Sequence, residues 1–453
     1  MRVTIPTTGS RGDVQPYVAL GVGLRARGHE VCLATHADFE SFVRGHGLAF
    51  QPLAEGGQAL QASDTGDRML HAGSNPFAFL REFTRLRRSL MHDMLHRCWL
   101  ACRGADVILS TSTEFLLAES VAEREHLPVV WTTIMPFAPS RFQASCLFPP
   151  WPRWVPGSSV YNLMTHAATG WGMWLLLRPA LNSARRDVLG LPPIPIYGPV
   201  ASFLAPRLCL DGYSAQVAPP PPDWGGRHHV TGYWFLDSDP DWKPPAGLID
   251  FLAAGPPPLC IGFGSMHNRD ATRVTEIVVR ALDRSGQRGV LLTGWKGLST
   301  VSRSDRLYSV AELPHAWLFP QTAGVVHHGG AGATAAGLRA GVPSLLVPFM
   351  ADQPFWGRRV HALGVGPKPI PREALSVEKL AEGIRLMVTD EAMRRRAADL
   401  GARIRAEDGV GRAAELLERH FIAGKNYSRG PGIWAALRAF RGEGRSSRSG
   451  GTA

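Results

Sequence analysis

The first apolar run, Arg2-Val3-Thr4-Ile5, is short and β-type, and it leads into a small-residue turn, Thr8-Gly9-Ser10-Arg11-Gly12-Asp13. Beyond it the pattern predicts a helix through Val18, Leu20, Val22 and Leu24, with Pro16 in its first turn and Gly28 as its C-terminal cap. Glu30 to Thr35 reads as the next strand, so the opening is a strand-helix-strand parallel unit. Asp106 to Thr111 and Pro128 to Thr132 read as further buried strands. From Trp131 to Leu191 the pattern changes: prolines interrupt it, and five of the 13 tryptophans fall there. Pro219-Pro220-Pro221-Pro222 is stiff and suits a linker. After it the rhythm of the first half returns. Strands are predicted at Leu259 to Gly262, Gly289 to Thr293, Gly324 to Val326 and Ser344 to Val347. A helix carrying Val274, Ile277, Val278, Ala281 and Leu282 follows the first of these, and Leu375 to Phe421 is mostly helical.

These elements predict an α/β fold of two Rossmann-like domains facing a cleft. The first spans residues 1–215, a Pro-rich linker 216–228, the second 229–423, and a Gly/Ser/Arg tail 424–453. Ligands of such sheets sit at the carboxyl ends of the strands.

Composition narrows the class of partner. With 453 residues, 45% hydrophobic and 19% charged, the chain is of globular type. Its net charge of +11 allows an anionic partner, but the tail alone carries six basic residues against Glu443. No aromatic-basic stacking motif supports nucleic-acid binding. No apolar stretch reaches the ~18 residues of a membrane span, and Met1 opens directly on the first strand without a signal-peptide core. The six cysteines include no CxxC, which with the missing leader points to a cytoplasmic protein. Cys98 and Cys102 share a helix face, and core packing is the favoured reading for them.

The chemistry concentrates in the second half. After the strand ending at Val326, His327-His328-Gly329-Gly330-Ala331-Gly332-Ala333 brings small residues to a helix start. Such a turn lets backbone N–H groups approach an anion, and the helix N-terminus favours negative charge. His327 can hydrogen-bond a phosphate oxygen, more strongly if protonated. Ser265, after Gly262-Phe263-Gly264, offers a second small turn with a hydroxyl. Further on, Asp352-Gln353 pairs a carboxylate with an amide, a combination suited to vicinal sugar hydroxyls.

With Arg339-Ala340-Gly341-Val342-Pro343 and Asp352-Gln353-Pro354-Phe355-Trp356, this segment resembles the donor signature of GT-B nucleotide-sugar glycosyltransferases. It is most similar to the branch holding the sterol 3-β-glucosyltransferases and the glycopeptide-antibiotic glycosyltransferases. Gly9-Ser10-Arg11-Gly12-Asp13-Val14-Gln15-Pro16, Ile261-Gly262-Phe263-Gly264-Ser265-Met266 and Leu189-Gly190-Leu191-Pro192-Pro193 agree, in order, over residues 1–420.

The resemblance implies inverting transfer of a hexose from a nucleoside-diphosphate sugar to an acceptor hydroxyl, with no cofactor and no metal. Asp13 is then the base. Ser10 and Arg11 would reach the diphosphate across the cleft, joining Ser265, His327, Gly329, Gly330, Ala331, Gly332, Ala333, Asp352 and Gln353 at the donor. A second role for Asp13, as a helix N-cap, is compatible with the first. In plant relatives a Glu eight residues after the phosphate-binding His holds the ribose; here that position is Ala335, so UDP and dTDP donors are not separated by this contact. The sterol-type likeness favours UDP-glucose. The aromatic stretch falls where relatives build the acceptor pocket, which makes Trp131, Phe137, Phe142, Trp171 and Trp174 candidates for a large apolar acceptor. Trp295 or Trp317 would stack on the nucleotide base or simply pack a core. The basic tail would dock peripherally on anionic lipid or stay mobile. The rival readings are a dTDP-sugar natural-product glycosyltransferase, a nucleotide-sugar epimerase and a non-catalytic activator that has kept the donor signature.

Overall fold

The computed structural model describes residues 1–55, 75–152, 154–196, 207–237, 242–264, 270–294 and 297–423, with positions 68 and 198. The chain folds around two parallel sheets. The first contains β1 (Arg2–Pro6), β2 (Glu30–His36), β3 (Ala49–Ala54), β4 (Val107–Thr111), β5 (Val129–Thr133), β6 (Cys209–Asp211) and β7 (His228–Val230), in the order β3-β2-β1-β4-β5-β6-β7. The second contains β8 (Leu259–Gly262), β9 (Gly289–Leu292), β10 (Leu307–Val310), β11 (Gly324–His327) and β12 (Ser344–Leu346), in the order β10-β9-β8-β11-β12. Every described pairing is parallel. Strands covered on both faces need apolar residues in succession rather than alternation. Val107, Ile108 and Leu109 of β4 are all fully buried.

Both sheets grow outward from their first strand in two directions. The reversal falls between β1 and β4 in one sheet and between β8 and β11 in the other. Loops leaving the carboxyl ends of those four strands diverge and open a crevice. The two loops singled out in the sequence, after β1 and after β11, both lie at such a reversal.

Two expectations change. The polyproline run does not separate the sheets: Pro222–Arg227 forms a short 3-10 turn, and β7 beyond it pairs with β6 in the first sheet. The first sheet therefore extends through Val230. The first helix spans Arg11–Ala26, so it starts a full turn before Pro16. Ser10 and Asp13 form a capping box that holds this extra turn. Pro16 has no N–H to offer the carbonyl four residues back, on Gly12.

The two halves are welded by shared apolar packing. One buried cluster joins Ala138 and Tyr213 of the first half to Leu338, Phe355 and Trp356 of the second. Arg359 donates to the Val217 carbonyl at 2.9 and 2.6 Å. The helix Gly409–Glu418 returns to the first half, where Ala413, Ala414 and Leu417 join its core and Glu418 pairs with Arg27 at 2.8 Å. Cys98 and Cys102 are buried in the core beneath the helix Pro76–Cys102, as packing residues. Among the described residues no helix is long and apolar enough to cross a membrane.

Candidate active site

Asp13 is held by its own loop. The Ser10 N–H and Oγ–H both donate to Asp13 Oδ2, at 2.8 and 2.9 Å. Gly9 has φ +136°, and a Cβ there would lie 2.5 Å from Asp13 Oδ2, so only glycine fits beneath the carboxylate. Burial raises the Asp13 pKa; the Ser10 bonds and the charge of His36 oppose it without cancelling it. The capping role expected of Asp13 is therefore filled, and its carboxylate keeps a raised pKa while filling it.

Beneath this loop lies a buried ion pair that sequence reasoning did not find. Arg87, on the helix Pro76–Cys102, donates to both oxygens of Glu114 at 2.9 and 2.5 Å. The Thr8 hydroxyl also donates to Glu114. Burial alone would raise the Glu114 pKa, but Arg87 and Thr8 hold it below its ordinary value. The pair is made from positions 27 residues apart in the chain, and no local motif announces it.

Opposite stands the helix Ala331–Ala340, with Gly330 as N-cap and no side-chain cap. Its first N–H groups, on Ala331, Gly332 and Ala333, are of the kind that bind anions. Gly329 turns with φ +91°, and its N–H donates to His327 Nδ1 at 3.1 Å. That bond makes Nδ1 the acceptor and leaves the proton on Nε2. His327 Nε2 is buried without a hydrogen-bond partner. Burial, with His328 and His315 nearby, drives the His327 pKa well down. His327 is therefore a neutral Nε2–H donor, and the protonated form, which would bind a phosphate more strongly, is disfavoured. His328, which the sequence reading passed over, lies between two glycines: a Cβ on Gly264 would come 2.9 Å from its Cε1, and one on Gly330 2.6 Å from its Nε2. Its Nδ1 is also unpartnered, and burial lowers its pKa to about 4. The loops after β8 and β11 thus converge on one imidazole.

Asp352 stands at the N-cap position of the helix Gln353–Ala362 without a side-chain cap bond, and its Oδ2 accepts from Trp356 Nε1–H at 2.7 Å. Burial, reinforced by the charge of Asp13, pushes its pKa up to about 7. Gln353 Oε1 accepts from the N–H groups of Phe349 and Met350 at 2.8 and 3.1 Å, so this oxygen fixes the loop after β12. Ser10 is likewise engaged with Asp13. Arg11 spans the cleft mouth, donating to Gln15 at 3.1 Å and lying 3.9 Å from Glu312. Ser265 and Trp295 fall outside the described residues, as does the tail. Trp317 packs edge-on against Trp242 at 5.2 Å and joins an apolar cluster, which favours its core reading.

The five acceptor candidates separate. Trp131 and Phe137 line a cavity at the carboxyl ends of β4, β5 and β6, with Phe115, Thr132 and Asp211. Tyr17, one turn after Asp13, donates to the Thr132 carbonyl at 3.4 Å and so connects the Asp13 helix to this cavity. Trp174 is instead a core residue, 1% exposed, with its indole N–H on the Ile196 carbonyl at 2.6 Å. Trp171 packs against the same core from its edge, and Phe142 stands in solvent. Proline-broken aromatic composition does not distinguish a wall from a core. The cavity's Asp211–His228 contact, at 3.4 Å, was not foreseen either.

The two parallel sheets, meeting at paired small-residue loops, define the GT-B fold. Residues 3–142 match the glycosyltransferase family 28 N-terminal domain, and residues 295–412 the erythromycin biosynthesis protein CIII-like C-terminal domain. The chain is 35% identical over 438 residues to the Arabidopsis thaliana sterol 3-beta-glucosyltransferase UGT80A2, covering 94% of this chain and 66% of that protein. It is 34% identical to UGT80B1 of the same plant, covering 93% and 68%. The chain thus spans about two thirds of these relatives, and only 27% of the sterol 3-beta-glucosyltransferase of Cryptococcus neoformans. In fold it is similar to the kitacinnamycin glycotransferase, with a TM-score of 0.64, 21% identity and coverage of 92% and 98%. The chain belongs to the sterol 3-beta-glucosyltransferase family of GT-B glycosyltransferases.

Proposed function

We propose that this chain is an inverting, metal-independent glycosyltransferase. It moves a hexose, by preference glucose from UDP-glucose, to a hydroxyl of a hydrophobic acceptor such as a sterol, hopanoid, polyketide or lipid. One observation carries the reading: a half-buried carboxylate of raised pKa, Asp13, faces an uncapped helix N-terminus flanked by a neutral imidazole donor, His327.

In this mechanism Asp13 takes the proton of the acceptor hydroxyl. The oxygen attacks the anomeric carbon as the bond to the diphosphate breaks, and single displacement inverts that carbon. Negative charge grows on the departing diphosphate. The N–H groups of Ala331, Gly332 and Ala333 and the Nε2–H of His327 meet it with fixed dipoles, which need no reorganisation during the step. Asp352 and Gln353 hold the sugar hydroxyls. The acceptor's apolar body enters beside Trp131 and Phe137, and the names of the Arabidopsis relatives support a sterol-like shape for it. Ala335 is buried and brings no polar group to a ribose, so the nucleotide is chosen elsewhere.

The test is a thermal shift of wild type and His327→Ala with UDP-glucose, UDP-GlcNAc, dTDP-glucose and GDP-mannose. A rise with one uridine or thymidine sugar, lost in the variant, supports the donor site and names the nucleotide. Release of UDP only when an alcohol is added excludes an epimerase. No shift with any donor would overturn the reading in favour of an activator. Turnover in EDTA and the anomeric configuration of the product check metal independence and inversion.

A further inference from the structure

The cavity beside Trp131 and Phe137 is not apolar from end to end. The strand register sets its floor. Ser110, Trp131, Cys209 and His228 stand side by side across β4, β5, β6 and β7. Two residues further along the strands, Thr133 pairs with Asp211. Such positions share one face of a sheet, and all six line the cavity. The middle of the floor is apolar, where Trp131 meets Phe115 edge-on at 5.8 Å. The far end carries a carboxylate and an imidazole.

Asp211 is 1% exposed. A carboxylate is costly to bury unless it is paired. The buried Glu114, Glu119 and Glu123 meet Arg87, Arg207 and Arg185 respectively. Asp211 has no such partner: among the described residues its carboxylate meets one side chain, His228, whose Nδ1 lies 3.4 Å from Oδ2. Burial pushes the Asp211 pKa up, and His228 opposes this without cancelling it. Both groups are fixed. The Asp211 carbonyl accepts from the Thr231 N–H and hydroxyl at 3.0 and 3.2 Å. The His228 ring lies 4.6 Å from that of Trp224, which donates to the Pro139 carbonyl in the loop whose Phe137 and Ala138 line the cavity. A wholly apolar acceptor would press hydrocarbon against Asp211 and leave its second oxygen unpaired, which is costly.

The sheet also gives a length. Asp13 rides on the loop after β1, and β6 lies three strands away in the order β1-β4-β5-β6. At ~4.8 Å per strand, that separation is on the order of 14 Å.

We propose that Asp211, oriented by His228, is a specificity-determining residue that accepts a hydrogen bond from a second hydroxyl of the acceptor. The acceptor class is then a rigid apolar skeleton with hydroxyls at opposite ends, one toward Asp13 and the other on Asp211. This rests on the reading above that the cavity holds the acceptor, and it narrows the sterol-like shape to a diol.

Binding measured without donor keeps the two readings apart. The probes are androstanol and an androstanediol, which share one four-ring skeleton and differ by a hydroxyl at the end far from the first. Equilibrium dialysis of the labelled steroids against the full chain gives both dissociation constants. Wild type is expected to bind the diol about tenfold tighter or more, the worth of a hydrogen bond to a carboxylate. Asp211→Leu should abolish that preference and bind the mono-alcohol as well as wild type or better, a gain that damage to the fold would not produce. Asp211→Asn keeps an acceptor oxygen and should retain most of the preference. Melting temperatures of both variants check the fold. Equal affinities of wild type for the two steroids, a preference that survives Asp211→Leu, or failure of both steroids to bind would each overturn the proposal. Release of UDP from UDP-glucose in the presence of the diol is read separately. Preferential binding without UDP release would uphold the role of Asp211 and overturn the transfer reaction instead.

Discussion

A Cβ built on Gly332, at the start of the helix Ala331–Ala340, would stand 3.2 Å from the Cα of Gly12, on the loop that carries Asp13. The Asp13 loop and the N-terminus of the Ala331–Ala340 helix therefore approach each other closely, glycine on glycine. That approach sets the distance between the two halves at the point where a proton and a leaving group would have to be handled together.

Gly332→Ala is expected to separate binding of the halves from their stability. Alanine is a better helix former than glycine by roughly 1 kcal/mol, so the melting temperature should hold or rise. The methyl group would push Gly12 away by a few tenths of an ångström, and turnover should fall about tenfold from misplacement alone. Gly12→Ala is the control, because its Cβ would meet only the Ser10 hydroxyl, at an ordinary 3.6 Å. Equal activity losses in the two variants would show that the close approach is not what matters.

Asp13→Asn keeps an oxygen for the Ser10 N–H, so the capping box survives in part and the fold should be little affected. Transfer to the acceptor should fall by about 10²–10⁴, the usual contribution of a positioned base. Donor-induced thermal shifts should persist. In wild type the rate should climb as Asp13 loses its proton, at a pH above the ordinary carboxylate range because burial raises its pKa. A pH–rate profile of the variant that still shows this limb would assign the base elsewhere.

The parts legible in the sequence share a physical trait: each is a local pattern at a strand end. Gly9 to Asp13 and His327 to Ala333 are contiguous, and the need for positive φ or close backbone approach writes glycine into them directly. The illegible parts depend on contacts across the chain. Pro219 to Pro222 reads as a linker because nothing nearby shows that His228–Val230 will pair with Cys209–Asp211. The protonation of His327 depends on burial by distant residues, and the Arg87–Glu114 pair joins a helix to the loop after β4. Trp131 and Trp174 look alike in composition, yet one faces a cavity and the other fills a core.

Asp352 ties pH to stability. Its folded pKa of about 7 stands above the ordinary value of 3.8, because burial disfavours the charged form. The folded state thus holds a proton that the unfolded chain releases. The stability this contributes is fully present below about pH 3.8 and is lost as pH rises toward about 7. Asp352→Asn retains an oxygen for Trp356 and cannot ionise. Its melting temperature should therefore decline less than wild type between pH 4 and pH 7, in ~0.5-unit steps of a thermal scan. Parallel curves for the two proteins would mean that Asp352 is ionised throughout.

The Arg87–Glu114 pair offers the sharpest contrast between single and double substitution. Both side chains are buried, Glu114 fully, and the pair supports Thr8 directly below Gly9 and the Asp13 loop. Arg87→Met removes the cation and strands a carboxylate in an apolar interior, at a cost of about 3–5 kcal/mol. Glu114 would then have to take up a proton, so the loss should be greater at pH 8 than at pH 5. Arg87→Met/Glu114→Met removes both charges together and should recover most of the stability, since neither partner is left unpaired. If the loop depends on this pair for position rather than for stability alone, the double variant will fold well yet transfer poorly. Urea denaturation at the two pH values gives the stabilities, and kcat of the double variant gives the positioning effect. Additive losses in the double variant would refute the coupling.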